Sequence, residues 1–132
     1  MPDLEIGLKG SKELVVGPEH LASFMGNIGA DVLSTHHVVL LMELAARQAI
    51  ESRLPKDSMT VGTRVIARHR AATPLGGKVR AEATLRAIEG LKKLIFDVVV
   101  FDEFETLAEG ENEQMIVSID KFLKKVGAKK DH

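Results

Sequence analysis

The sequence predicts an α+β fold in which a curved antiparallel sheet wraps one long central helix. Three observations predict it: a helix-forming stretch of twenty residues without Gly or Pro, four later segments of alternating polarity divided by turns, and a length of 132 residues with a 45% apolar fraction. That length and apolar share suit one domain with a real hydrophobic core. We therefore read 1–132 as a single domain, with 1–10 and 127–132 as loose ends.

Taken in order, 1–10 is weakly patterned, and Lys12–Val16 (KELVV) reads as a short strand ended by Gly17-Pro18. Between Glu19 and Leu33 the apolar residues Leu21, Phe24, Met25 and Ile28 are interrupted by Gly26, Asn27 and Gly29. Such a segment suits a pocket wall or lid, and equally a packed connector. Thr35–Leu54 (THHVVLLMELAARQAIESRL) is rich in helix formers, with the hydroxyls of Ser34 and Thr35 at its start and Pro55 at its end. Its first turns are apolar nearly all round, as expected of a helix enclosed by other structure. Glu43 breaks the pattern, standing on the stripe of Val39, Leu40, Ala46 and Ile50.

Met59–Thr73 alternates strictly, which places Val61, Thr63, Val65, Ala67, His69 and Ala71 on one face. Arg64, Ile66, Arg68 and Arg70 take the other, wet face. Pro74–Gly77 is a turn, and Val79, Ala81, Ala83, Leu85 and Ala87 define the inward face of the next strand. Leu94–Phe101 is continuously apolar and is expected to be covered on both faces; Thr106–Ile119 is the last strand, followed by a short helix at Asp120–Val126. One strand, one buried helix and a four-strand antiparallel meander make the hot-dog arrangement, with the sheet as bun. Its long edge strands call for pairing with a second copy, so a homodimer is expected.

Composition narrows the function. A formal net charge of −1 does not suit a binder that works by neutralising phosphates, so no nucleic-acid partner is expected. There are no cysteines, hence no disulfide or thiolate metal site. The start of the chain does not read as a signal segment and Val38–Ala46 is too short to span a bilayer, which gives a cytoplasmic protein with no membrane contact as the expectation. His36-His37 invites a metal reading, but neighbouring helix residues diverge by about 100° and no third ligand has suitable spacing. No metal and no cofactor are expected.

Each polar residue at a predicted buried position has a plain alternative. His69 between Ala67 and Ala71 could be a hydrogen-bonded core histidine, Glu43 could pair with Arg47 at i,i+4, and Thr35 could be a helix cap. An acid on the helix and an imidazole on the covering sheet are more telling together.

The run Thr35-(x7)-Glu43-Leu44-Ala45, then Gly62-Thr63, then His69-Arg70-Ala71-Ala72-Thr73-Pro74 resembles the fluoroacetyl-CoA thioesterase family of hot-dog proteins. The likeness covers roughly Val16 to Val126 and includes the closing Asp120-Lys121-Phe122. It implies that Thr35, Glu43 and His69 form a Thr/Glu/His catalytic set, with Gly62 near the acyl group. Thioester hydrolysis is compatible with those groups, which supply a base or nucleophile, a proton shuttle and donors for an oxyanion. In the family, fluoroacetyl preference depends on an aromatic-bearing lid ahead of the catalytic Thr. Here that segment is shorter, Gly-rich and holds only Phe24, so a short or medium acyl-CoA is the expected substrate. Phe24 and His36 would line its site, and Arg64 and Arg68 would meet the CoA phosphates unless they simply face water.

A regular helix sets Thr35 and Glu43 about 12 Å apart along its axis, so they cannot touch. A site shared between subunits is the expected resolution. Two alternatives remain. A non-catalytic acyl-CoA-binding module would use the same pocket without turnover. A hot-dog enoyl-CoA hydratase is suggested by the Asp31-(x4)-His36 spacing, but the Asn-Pro of that motif is missing and Glu43 and His69 would go unused.

Overall fold

The structure, a computed structural model, describes residues 3–131. The chain runs β1 (Lys9–Val15), α1 (Thr35–Ile50), β2 (Ser58–His69), β3 (Lys78–Glu89), β4 (Lys93–Asp102), β5 (Thr106–Ser118) and α2 (Ile119–Gly127), with 3-10 turns at Pro18–His20, Glu51–Arg53 and Ala128–Asp131. All strands join one antiparallel sheet in the order β1-β3-β4-β5-β2, which curls round α1 as the hot-dog fold requires. No described helix is long and apolar enough to cross a membrane.

Helix α1 starts where expected but gives way to a 3-10 turn after Ile50, ahead of Pro55. Its buried face is Val38, Leu41, Met42, Ala45, Ala46, Ala49 and Ile50, packed on Leu85, Phe96, Val98 and Val100 of the sheet. Leu40 is 48% exposed, so the buried stripe lies to one side of the line drawn through Val39 and Leu40, and Glu43 sits at its margin. The opposite margin is set by Gly10. A β-carbon there would collide with the α1 backbone at Ala45 and Ala49, so glycine on the strand and alanines on the helix let the two backbones meet. The lead-in is correspondingly less loose than expected. Lys9 and Gly10 are strand, and Leu4 belongs to the core; Met1, Pro2 and His132, the outermost residues of the expected loose ends, lie outside the described residues.

The strict alternation expected of β2 fails at one place. Gly62 pairs with Gln114 and Arg64 with Glu113, leaving Thr63 as a bulge. Thr60 and Gly62 therefore face α1 before the bulge, whereas Val65, Ala67 and His69 share a face after it. Val61 points to the outer face, and the Thr63 hydroxyl donates to the Glu113 carboxylate at 2.6 Å. A similar shift after Leu85 turns Ile88 toward the core, where Ala87 was expected. β4 is covered on one face only: Leu94, Phe96, Val98 and Val100 are buried, whereas Val99 on the other face is 39% exposed.

The outer face is laced with ion pairs, Arg86 to Asp97 and Glu111, Arg70 to Glu109, and Arg80 to Glu13 and Glu82. Exposed pairs of this kind contribute little stability, but they mark the face as solvated.

Candidate active site

The start of α1 is capped by Ser34, whose Oγ accepts the His37 N–H at 3.2 Å. That cap leaves the neighbouring hydroxyl free for another task. Thr35 Oγ1 lies 2.9 Å from His69 Nδ1, joining the first residue of α1 to the last residue of β2. The other ring nitrogen, Nε2, is buried and has no hydrogen-bond partner.

Glu43 stands elsewhere. Its carboxylate occupies the space over Gly62 that a β-carbon would fill, and Arg47 Nη2 approaches Oε2 at 3.6 Å. The Glu43 side chain is 29% exposed and its Arg47 partner 41%, so the i,i+4 pair is worth only a few tenths of a kcal/mol. The expected i,i+4 ion pair is thus present, and Gly62 lies against the Glu43 carboxylate. The expected convergence of Glu43 and His69 is not made within one chain. Six steps of the β2–β5 ladder separate Gly62 from His69, about 20 Å at strand spacing. Thr35–His69 and Glu43–Gly62 are thus two separate pairs on one edge of the sheet.

The remaining expected residues fall in different places. Phe24 is 69% exposed on a turn-rich segment before α1, and His36 is exposed on the first turn of the helix. Arg64 and Arg68 rise from the outer face, opposite Gly62 and His69, and Arg64 lies 3.9 Å from Glu111. They can meet only a ligand portion that passes round the β2 edge. Asp31 accepts the Ser23 hydroxyl at 2.6 Å on an exposed turn and makes no bond to His36. No cluster of His, Cys, Asp or Glu among the described residues could hold a metal ion.

A buried polar chain escaped the sequence reading. Thr60 Oγ1 donates to Gln114 Oε1 at 2.7 Å, and Gln114 Nε2 donates to Asn112 Oδ1 at 2.8 Å and to the Glu43 carbonyl at 3.4 Å. Asn112 and Gln114 are both fully buried on the inner face of β5. Period-two counting back from Ile116 through Gln114 to Asn112 would have found them.

A histidine cluster flanks the helix start. Ser34 Oγ lies 2.7 Å from His37 Nδ1, and the His37 ring meets His20 edge-on at 4.8 Å. Burial lowers the His37 pKa, and the neighbouring His20 and His36 lower it further against a smaller opposite pull from Glu19. Charge on this imidazole is also disfavoured by the positive end of α1.

Comparison with known proteins gives these features a family. Residues 16–120 match the model of the fluoroacetyl-CoA-specific thioesterase family. The fluoroacetyl-CoA thioesterase of Streptantibioticus cattleyicolor is 33% identical over 99 residues, covering 75% of this chain and 70% of that protein. A solved structure of the fluoroacetyl-CoA thioesterase superposes with a TM-score of 0.87 at 28% identity, over 96% of this chain and 97% of the other. A Thermus thermophilus protein described as a thioesterase superfamily member reaches a TM-score of 0.91 at 29% identity, over 99% of this chain and 96% of the other. The chain belongs to the family of fluoroacetyl-CoA-specific thioesterases and is, with them, a thioester hydrolase.

Proposed function

We propose that the protein hydrolyses a short or medium acyl-CoA to the free acid and CoA, at a site completed by two protomers. The carrying observation is that both pairs lie on β2, an edge strand of the sheet. In a two-fold pairing, residue i of one copy meets residue j of the other and the reverse. Antiparallel pairing of two β2 edges centred on Ile66, with Thr63 bulged out of the register, sets Gly62 of each copy opposite His69 of the other. Both inner faces then lie on the same side. Each Thr35–His69 pair would face Glu43 of the partner subunit, which removes the separation along α1. The exposed backbone edge of β2 gains its missing hydrogen bonds in the same step.

In this site Glu43 takes a proton from the water that attacks the acyl carbon. Collapse of the tetrahedral intermediate expels CoA as thiolate, and the proton on Glu43 passes to that sulfur. The partial exposure of Glu43 suits a base that must meet water. With the Thr35 hydroxyl donating to Nδ1, His69 carries its proton on Nε2, where it can hydrogen-bond the leaving sulfur. The first amides of α1 add an electropositive end for the carbonyl oxygen. Structures of two variants of the fluoroacetyl-CoA thioesterase, one with fluoroacetate and CoA and one with acetyl-CoA, support a small acyl group. The exposed Phe24, on a Gly-interrupted segment, offers a looser cover for that group.

Thiol release across a panel of straight-chain acyl-CoAs, with Glu43→Gln and His69→Ala beside the wild type, tests the reaction. Tight binding of CoA esters without thiol release would leave only a binding module. Mixing Thr35→Ala with Glu43→Ala protomers tests the sharing. A heterodimer then holds one complete site, so activity should return to about a quarter of wild type in a statistical mixture. Heterodimers as inactive as either parent would put the site within one chain.

A further inference from the structure

Among the described residues, the buried side-chain polar atoms without a hydrogen-bond partner are His69 Nε2 and Asn112 Nδ2. A buried unpaired donor costs free energy, and most are satisfied, so each calls for a reason. For His69 the reason is the site itself. Asn112 shares its face: it pairs in register with Val65 on β2, between the level of Gly62 and that of His69. The residues around that lane, Ala67, Ala108 and Gly110, are small, and Val65 is 37% exposed. On its other side Asn112 pairs in register with Phe96 of β4, which is fully buried.

The orientation of the amide is fixed from below. Thr60 has a hydroxyl to give, so Gln114 presents its oxygen to Thr60 and its nitrogen to both Asn112 Oδ1 and the Glu43 carbonyl. Turning Gln114 over would set its oxygen against the Glu43 carbonyl. Asn112 must then keep its oxygen toward Gln114 and its N–H groups away. The donor is held within two hydrogen bonds of the backbone of Glu43, the residue that carries the proposed base.

We propose that Asn112 donates a hydrogen bond to the carbonyl oxygen of the bound thioester, and to the oxyanion that forms from it, with Thr60 and Gln114 as positioning residues. This rests on the hydrolase reading above. Asn112 is fully buried in the free chain, so the acyl group reaches it as the small-residue lane beside Val65 opens, with Glu43 kept on its seat over Gly62. A preorganised donor of this kind accelerates acyl transfer about a hundredfold or more.

The test uses Asn112→Leu, which keeps the γ-branching and lacks the orphan donor, with the smaller Asn112→Ala as a second variant should the first not fold. Two probes are titrated: a dethia ketone analogue of the acyl-CoA, in which methylene replaces sulfur, and the matching S-alkyl-CoA thioether, which has no carbonyl. The expected result is a fall in kcat of about a hundredfold at a temperature where the variant is fully folded, with weaker binding of the ketone and unchanged binding of the thioether. Equal loss for both probes would mean a packing role and overturn the proposal, as would kcat within a fewfold of wild type. If the wild type releases no thiol from any ester yet Asn112 still governs the ketone preference, the hydrolase reading falls and the carbonyl donor stands.

Discussion

The carboxylate of Glu43 lies over the α-carbon of Gly62, in the space that any side chain at residue 62 would need. Glycine is required here for close approach, since its φ is not among the positive ones. Gly62→Ala should therefore push Glu43 aside and lower kcat by at least about tenfold, because small misplacements of catalytic groups are costly. The atoms displaced belong to the end of a flexible side chain, so stability should change by no more than about 1 kcal/mol. Kinetics and a urea melt on the same preparation check both halves. Full activity in Gly62→Ala would show that Glu43 needs no such seat.

Thr35 and His69 are joined by a hydroxyl and a ring nitrogen at 2.9 Å, while Ser34 serves as helix cap. Thr35→Val keeps the shape and removes the hydrogen bond, whereas Thr35→Ser keeps the bond. We expect kcat to fall about tenfold to a hundredfold in Thr35→Val, within the range of a lost positioning contact, and to stay within a fewfold of wild type in Thr35→Ser. Helix stability should hold in both because the cap is untouched. A Tm loss in Thr35→Val as large as in Ser34→Ala, about 1 kcal/mol in equivalent, would return Thr35 to a capping role.

The helix and the antiparallel strands of the hot-dog fold were legible because each rests on local periodicity. The expected four-strand meander holds only for β3-β4-β5, since β2 crosses over to pair with β5 at the sheet edge. The faces were not legible beyond the first bulge of each long strand. Gly62 and His69 have opposite parity along β2, and only the extra residue at Thr63 brings both to the inner face. A bulge carries no periodic signal, so Val61 and Thr63 were placed on the wrong side and Ala87 was taken for Ile88. The motif singled out Thr35, Glu43, Gly62 and His69, but their separation into the pairs Thr35–His69 and Glu43–Gly62 follows from the straightness of α1 and the length of β2. Asn112 and Gln114 were missed for another reason: amides in a strand look like surface residues until the packing of Ile116 fixes the face.

The helix start should respond to mild acid. His37 has a pKa below the ordinary imidazole value in the folded chain, by burial first and then by His20 and His36. The unfolded chain therefore binds the proton more readily, and stability falls as pH drops from about 6.5 toward the folded pKa. Above that window the group contributes nothing to the pH slope. His37→Gln should flatten the slope of stability against pH just below about 6.5, measured by denaturation at fixed ionic strength. An unchanged slope would assign it to other groups. Asp102 acts in a lower range. Burial opposes its charge, but hydrogen bonds from the Phe104 N–H, Thr73 and the Glu105 N–H outweigh it, so its pKa is lowered and its stabilisation is lost only as pH falls below the usual carboxylate range.

Gly10 sets the distance between sheet and helix, and its replacement should act on stability first. A β-carbon at residue 10 meets the Ala45 carbonyl and the Ala49 backbone, atoms that cannot move without shifting α1. Gly10→Ala should cost about 2–3 kcal/mol, the scale of overpacking in a dense core. The helix also carries Thr35 and Glu43, which must keep their places relative to β2. What remains folded should therefore show a lower kcat as well, with more loss than Ala49→Gly, which deepens the crossing without collision. Denaturant midpoints for Gly10→Ala and Ala49→Gly, together with kcat at a temperature where both are folded, give the comparison. A Gly10→Ala protein as stable as wild type would mean that the strand, and not the helix, yields at this crossing.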